Sequence, residues 1–326
     1  MSPPAPHGPS DAARPEELLI ALGEPPSDEV GVAGTRAATL ARLVRAGLPV
    51  PGGFVVTTGA FRRFIAESGL SERVRSTFAA GTGEDELARV GKQLEREIEG
   101  QALPAWLEQP LHEAYFALTA RGSEHAVAIR PSPVHDEPAA AHQLSETRLY
   151  ARGEEEVGSA LRHCFAALFA PHLVLYRARR GLDQAAAATG AIVQQQVLAV
   201  ATGLLLGADS PAAPDRLVLE ARSARAPGKV VGAAVDRYVL ERRTGEQLTA
   251  QISPKVAIVE ATATGGVALR HLSPGSTETP VVTDEQIQDL VDLARRVEHE
   301  RGAPQVLEWV IDADGRAWIV RSEPAA

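Results

Sequence analysis

The amino-acid sequence predicts an α+β protein, with a mainly helical first half and a second half rich in antiparallel strands. Apolar residues recur at helical spacing in the first half, as Leu40, Leu43 and Val44 do. The second half instead carries short apolar runs that are rich in β-branched residues. Near its end, Asp314 and Gly315 separate two such runs, which is typical of a β-hairpin.

The helices of the first half are predicted from their periodicity and their capping residues. Gly47 ends a helix over 35–46, and Thr57 or Thr58 caps a helix with an apolar face before Gly69. Periodicity predicts further helices over 84–99, 104–121 and 154–181, and one short strand at 126–129.

The second half is predicted to form a sheet covered by one helix. Apolar runs predict strands at 190–198, 203–207, 216–220, 230–231 and 237–240. Thr283 and Gln286 have the spacing of a capping box, which predicts a helix from there to about Arg301. The final hairpin pairs 307–312 with 317–321, and the Asp-Gly pair favours a primed turn. A turn centred there sets Arg321 opposite Glu308.

Composition limits the classes of protein to consider. The 326 residues are 44% hydrophobic and carry a net charge of -9, which favours a soluble protein and disfavours nucleic-acid binding. No apolar run approaches the about 18 residues of a membrane span, and 1–17 lack the apolar stretch of a secretory signal. We therefore expect a cytoplasmic protein with a mobile segment at 1–17, a first lobe at 18–190 and a second lobe at 191–326.

The single cysteine, Cys164, excludes internal disulfides and any multi-cysteine metal site. It lies on the apolar-periodic helix with Leu161, Phe165 and Leu168, so we expect a core thiol and not a nucleophile. Arginine clusters at 177–180 are expected to lie on solvated helix faces.

The order of several segments resembles one family. Residues 33–40 (AGTRAATL) and 46–58 (AGLPVPGGFVVTT) are similar to the start of the ATP-binding domain of phosphoenolpyruvate synthase, pyruvate phosphate dikinase and rifampicin phosphotransferase. Residues 127–130 (VAIR), 307–312 (LEWVID) and 319–324 (IVRSEP) continue the resemblance in order. It spans nearly the whole chain after 1–17 and implies the two-lobed ATP-grasp fold.

The resemblance implies ATP and Mg²⁺ as cofactors and assigns roles to particular residues. Arg36 and Arg130 stand at phosphate-contacting, catalytic positions, and Arg321 at a third nucleotide-binding one. Glu308 stands at a metal-binding position, to which Glu323 adds a second carboxylate. Adenine is expected against the edge formed by Gln194, Gln195, Gln196 and Val197.

Several of these positions depart from the family pattern. Arg36 replaces a lysine, and Pro131 replaces the serine after Arg130 and lacks a backbone donor. A glycine-rich phosphate loop is replaced by 140–143 (AAHQ), where His142 takes a glycine position, and a GLGE segment by 225–228 (RAPG).

At the C-terminal hairpin, Arg321 replaces a glutamine and Glu323 an arginine. A cation beside Glu308 competes with Mg²⁺ for that carboxylate, so an internal ion pair of Arg321 with Glu308 or Glu323 is the simpler arrangement. Residues 264–271 (TGGVALRH) are similar to a phosphocarrier signature, but we expect His271 to be an ordinary loop histidine.

Three hypotheses about function stay open. The first is a stand-alone ATP-dependent phosphotransferase domain, a kinase-like module whose acceptor is a small molecule or a phosphohistidine-bearing protein partner acting in trans. The second is a non-catalytic binding or regulatory partner that retains the fold. The third is an ATP-grasp domain adapted to another anionic ligand, which the added arginines recognise.

Overall fold

The computed structural model describes residues 17–77, 83–120, 126–134, 147–207, 215–224, 234–262 and 267–325. The helices of these ranges are α1 (Val30–Ala33), α2 (Thr35–Arg45), α3 (Thr58–Glu67), α4 (Leu70–Thr77), α5 (Glu84–Glu99), α6 (Ala105–Thr119), α7 (Gly153–Ala166), α8 (Pro171–Arg179) and α9 (Asp284–Arg301). Their strands are β1 (Leu19–Ala21), β2 (Gly53–Val56), β3 (Ala126–Pro133), β4 (Arg148–Arg152), β5 (Thr189–Gln195), β6 (Ala199–Leu206), β7 (Arg216–Ser223), β8 (Asp236–Glu241), β9 (Gln247–Gln251), β10 (Ala257–Ala261), β11 (Val267–His271), β12 (Gln305–Asp312) and β13 (Ala317–Pro324).

The first sheet is antiparallel and has the strand order β1-β2-β5-β3-β4. Phe54 and Val193, which are opposite each other in β2 and β5, point to the same face. That face packs against α3, α5, α6 and α7 and forms the first core, with Phe61 and Phe165 in edge-to-face contact. Helices α3, α5, α6 and α7 are thus held on one side of this sheet.

The second sheet has the order β13-β12-β6-β7-β8-β9 and is antiparallel throughout. Burial alternates along β12, where Leu307 and Trp309 enter the second core and Glu308 points to the opposite face. Ile287 of α9 packs in that core too. β10 and β11 form a separate two-stranded hairpin.

Helix α2 joins the two sheets. Its Leu40 and Leu43 pack in the same core as Ile192, from the second face of the first sheet, and Leu205 of the second sheet. The backbone amide of Ile319 in β13 donates to the carbonyl of Pro49, 2.8 Å away, in the loop after α2. These contacts place β13 beside α2, and Glu323 of β13 comes within 3.9 Å of Arg36 in the first turn of α2.

The predicted α+β pattern is confirmed, with differences in particular elements. The helix predicted over 154–181 is divided by a 3-10 turn at Ala167–Phe169, and α8 begins at Pro171, which cannot supply the backbone donor of a continuous helix. The first sheet continues through β5 to Gln195, because β5 pairs with β2 and β3, so the chain changes sheets after the boundary expected at 190.

The final hairpin is confirmed, but its primed turn is not. Gly315 has a positive φ of 82°. Among the described non-glycine residues only Tyr150 has a positive φ, so the backbone of Asp314 is not in the left-handed region. The Asp312 carboxylate accepts from the backbone amides of Asp314 and Arg316, 3.0 and 2.9 Å away, and so holds a longer turn. Opposite Glu308 and Trp309 the register shifts by one residue, which leaves Val320 as a bulge and returns Arg321 to the position opposite Glu308.

Several expectations concern residues outside the described ranges. They are the segment 1–16, the loop 140–143 with His142, the segment 225–228, the strand at 230–231 and residues 264–266. Within the described residues, no helix is both long and apolar enough to pass through a bilayer.

Candidate functional site

The first turn of α2 is fixed against the end of β3, and this contact positions Arg36. The Ser132 hydroxyl accepts a hydrogen bond from the backbone amide of Ala37, 2.9 Å away, and so caps the helix from another element. Gly34 precedes the helix with a φ of 80°, and a Cβ there would lie 1.8 Å from the Ser132 carbonyl oxygen. The Arg36 Nη1 donates to the carbonyl of Pro131, 3.2 Å away, so the side chain extends along β3.

Arg130 lies on β3, opposite Ile192 of β5, and points to the face that α2 covers. Its side chain is 12% exposed, and its Nη1 is 3.8 Å from Oε2 of Glu308 on β12. The Arg130 Nε is buried and has no hydrogen-bond partner among the described residues. A buried guanidinium N–H without an acceptor costs free energy, which a bound anion would recover.

The β12–β13 hairpin supplies the remaining charges. Arg321 donates to both carboxylate oxygens of Glu323, from Nε to Oε1 at 2.7 Å and from Nη2 to Oε2 at 2.5 Å. The same Oε1 is 3.9 Å from Nε of Arg36. Of the two ion pairs predicted for Arg321, the structure therefore forms the one with Glu323. We call Arg36, Arg130, Glu308, Arg321 and Glu323 the charged cluster.

Burial and mutual repulsion both act on the arginines of this cluster. The pKa of Arg36 falls to about 10, first because the side chain is buried and then because Arg321 is near, while Glu323 opposes the change. Burial likewise lowers the pKa of Arg130, which Glu308 partly offsets and Arg321 reinforces. With three guanidinium groups and two carboxylates, the cluster carries excess positive charge and favours an anion.

A row of side chains extends from the charged cluster across the second sheet. Successive strands set Arg321 opposite Glu308, Glu308 opposite Leu204, Leu204 opposite Glu220, and Glu220 opposite Arg237. Residues that are directly opposite share a face, so Leu204 lies beside Glu308, and Glu220 lies one strand beyond Leu204, on the face away from the second core. Sequence reasoning missed both of them. The sequence holds no local signal for them, because only the strand order and register place them in this row.

Comparison with known proteins decides the family. The family model described as the pyruvate phosphate dikinase AMP/ATP-binding domain matches residues 30–326. The chain belongs to this family. The predicted resemblance and the predicted ATP-grasp fold class are thereby confirmed.

Relatives of the AMP/ATP-binding domain family are much longer than this chain. A probable phosphoenolpyruvate synthase of Methanocaldococcus jannaschii is 30% identical over 316 residues, which are 94% of this chain and 26% of the relative. A rifampicin phosphotransferase of a Streptomyces species is 34% identical over 301 residues, which are 91% of this chain and 34% of the relative. Among solved structures, the ATP-grasp ligase PsnB matches 94% of this chain and 56% of its own at 13% identity and a TM-score of 0.27, a likeness that carries no argument about function.

The glutamines predicted to border adenine have partners within the protein. Gln194 is buried, and all three side-chain amides bind backbone groups of neighbouring segments. The partners are the carbonyl of Pro51 for Gln194 at 3.0 Å, the carbonyl of Leu118 for Gln195 at 2.9 Å, and the amide of Tyr150 and carbonyl of Val197 for Gln196 at 3.3 and 3.1 Å. These bonds hold the linker between β5 and β6 in one conformation and engage the glutamine side chains. A ligand bound there would therefore contact the backbone of the linker, including Val197.

Three residues outside the cluster can be compared with what the sequence predicted for them. Cys164 is fully buried in the first core, and burial raises the pKa of its thiol to about 12, which fits a core thiol. His271 is exposed at the end of β11, in a paired strand and not in a loop. Arg177, expected on a solvated face, is fully buried, where its Nε donates to Oε1 of Gln184 at 2.8 Å.

Proposed function

We propose that this chain binds ATP between the first sheet and the β12–β13 hairpin and acts as a phosphotransferase domain. Membership of an AMP/ATP-binding family supports nucleotide binding. The observation that carries the proposal is the charged cluster, in which Arg36 and Arg130 are 11% and 12% exposed and face carboxylates of the hairpin. Guanidinium groups match phosphate oxygens in geometry, and in a partly buried site they bind them strongly.

The arginines of the charged cluster lie on two sides of the proposed position of the triphosphate. Arg36 reaches the site from α2, Arg130 from the first sheet and Arg321 from the β12–β13 hairpin. Phosphate oxygens between them would therefore be contacted from both sides. ATP bound there supplies a phosphoryl group for transfer. The arginines position that group and neutralise charge as it moves, which is the main protein contribution in such reactions.

The adenine end of the ligand is assigned to the linker between β5 and β6. The side chains of Gln194, Gln195 and Gln196 hold this linker in place, and it leads directly into β6, where Leu204 lies on the half-buried face. An apolar surface next to backbone hydrogen-bonding groups suits a purine ring. We further propose that the acceptor belongs to another domain or protein, in keeping with the larger size of the relatives.

A thermal-shift series tests nucleotide binding. ATP at about 100 times its Kd is expected to stabilise the protein by about 2.7 kcal/mol, with and without Mg²⁺. Arg130→Met removes the guanidinium and should abolish the stabilisation, whereas Arg179→Met, at an exposed arginine paired with Glu84, should leave it unchanged. Sodium sulfate at equal ionic strength controls for nonspecific anion effects. The proposal fails if ATP stabilises none of these proteins under either condition.

The contact between Arg321 and Glu323 favours a second candidate function, binding without phosphoryl transfer. Both oxygens of Glu323 accept hydrogen bonds from Arg321, so any group that used this carboxylate in phosphoryl transfer would compete with Arg321 for it. Incubation with ATP labelled at both its β- and γ-phosphates and with the histidine-bearing domain of a phosphoenolpyruvate synthase separates the two. Labelled acceptor supports the transferase, and unchanged ATP with binding retained supports the second function.

A further inference from the structure

The two carboxylates of the charged cluster do not fit a divalent cation. Mg²⁺ in nucleotide sites is held by one or two carboxylates together with phosphate oxygens and water. Glu323 has both oxygens within 2.7 Å of Arg321 donors, so a metal bound to this carboxylate would lie close to the Arg321 guanidinium and compete with it. Among the described residues there is no group of three or more His, Cys, Asp or Glu side chains that could hold a metal ion.

Glu308 alone does not repair this deficit. It lies directly opposite Arg321 in the hairpin register, and its Oε2 is 3.8 Å from Nη1 of Arg130. A metal on Glu308 would therefore stand close to two guanidinium groups, whose repulsion opposes its binding. Each carboxylate of the cluster already has an arginine beside it. The positive charge that a bound metal would bring is therefore already supplied by a side chain.

We propose that Arg321 takes the place of the divalent cation, so that this site binds metal-free nucleoside polyphosphates. The inference rests on the proposed ATP site and specifies the form of ligand that it takes. The guanidinium of Arg321 is anchored on Glu323 and shared with the phosphates, while Arg36 and Arg130 contact them from the other side. Mg²⁺ cancels two negative charges of the ligand and so weakens its attraction to a cluster with excess positive charge.

Calorimetric titration of ATP in EDTA and in excess Mg²⁺ tests the role of Arg321. The wild-type protein is expected to bind ATP in EDTA at least as tightly as in Mg²⁺. Arg321→Gln should weaken binding in EDTA by about tenfold, the loss of one charged hydrogen-bonding partner, and restore tighter binding in Mg²⁺ because Glu308 and Glu323 are then available. Arg316→Gln, at an exposed arginine that stacks on Trp318 in the same hairpin, is the matched control and should bind as wild type.

Three outcomes are distinguishable. Wild-type binding that requires Mg²⁺ overturns this inference and leaves the ATP site intact, and so does an Arg321→Gln protein that binds in EDTA as the wild type does. Absence of ATP binding under both conditions overturns the proposed function and the inference with it.

Mn²⁺ alone, titrated against the wild-type protein, should give no heat. Arg321→Lys, which keeps the charge but not the fork, should lie between wild type and Arg321→Gln and guards against loss of folding.

Discussion

The buried ion pair between Lys255 and Asp236 allows a quantitative test of the second half of the fold. Lys255 Nζ lies 2.5 Å from Oδ1 of Asp236 and donates to the carbonyls of Ser253 and Thr279 at 2.9 and 3.0 Å. The same carboxylate accepts from the backbone amides of Ser253 and Val281 at 3.0 and 2.9 Å. The pair thus fastens the two ends of the segment that carries the β10–β11 hairpin to the start of β8.

Replacement of either partner leaves a charge without its counterion in a dry environment. The side chains of Lys255 and Asp236 are 3% and 0% exposed. Asp236→Asn should lower the free energy of unfolding by about 3–5 kcal/mol, the range for breaking a buried pair. Lys255→Met should cost about 3 kcal/mol, because two backbone amides still stabilise the carboxylate. The double variant should lose less than the sum, by about 2–3 kcal/mol, since no lone charge remains.

Urea unfolding followed by tryptophan fluorescence measures these differences, because buried Trp309 belongs to the second core. The control is Glu260→Gln, which removes an ion pair with Arg270 whose partners are both 45% exposed and should cost less than about 1 kcal/mol. The reasoning is refuted if Asp236→Asn costs no more than this control, or if the two single losses add fully in the double variant.

Three further outcomes follow from the described contacts. Ser132→Ala removes the hydroxyl that caps α2 and should lower stability by about 1–2 kcal/mol in the same urea assay; a change of no more than a few tenths would show that the cap is dispensable. Because burial raises the pKa of Cys164 to about 12, iodoacetamide at pH 8 should leave the native thiol unlabelled and label it fully in urea, and rapid native labelling would contradict its burial. Asp312→Ala removes the acceptor of two turn amides and of the Trp318 Nε1 and should lower the free energy of unfolding by about 1–3 kcal/mol. Amide hydrogen exchange at 313–318 should become faster, and unchanged exchange would argue against this role of Asp312.

The parts of the fold that the sequence predicts well are those with a local physical signal. Thr57 caps α3 through its side chain, and Thr283 forms the complete capping box of α9, as their spacing indicates. The break before Pro171 was missed because apolar periodicity continues across it, and packing alone decides whether the chain bends there. Arg177 was placed on the surface for a similar reason, since nothing in its neighbourhood reveals that Gln184 receives it in the interior.

The candidate site was predictable in its members but not in its internal contacts. Resemblance to the family named all of the charged cluster, and the structure brings its members together from α2, β3, β12 and β13. Which carboxylate Arg321 would bind remained undecided, because it lies opposite Glu308 and two residues from Glu323 on the same strand. Leu204 and Glu220 were not predicted at all, since their proximity to Glu308 depends on strand order and register.

The hairpin register shows how a wrong local prediction can give the right pair of residues. A two-residue turn with regular strands sets Arg321 opposite Glu308. The actual turn is longer by one residue and by itself would put Val320 there, with Arg321 on the face of the second core. The bulge at Val320 adds one residue to β13 and cancels the difference, so Arg321 returns to the exposed face beside Glu323. If β13 paired with β12 without this bulge, Val320 would lie opposite Glu308 and the Arg321 guanidinium would face the second core. The proposed site therefore depends on this bulge, for which the sequence has no signal.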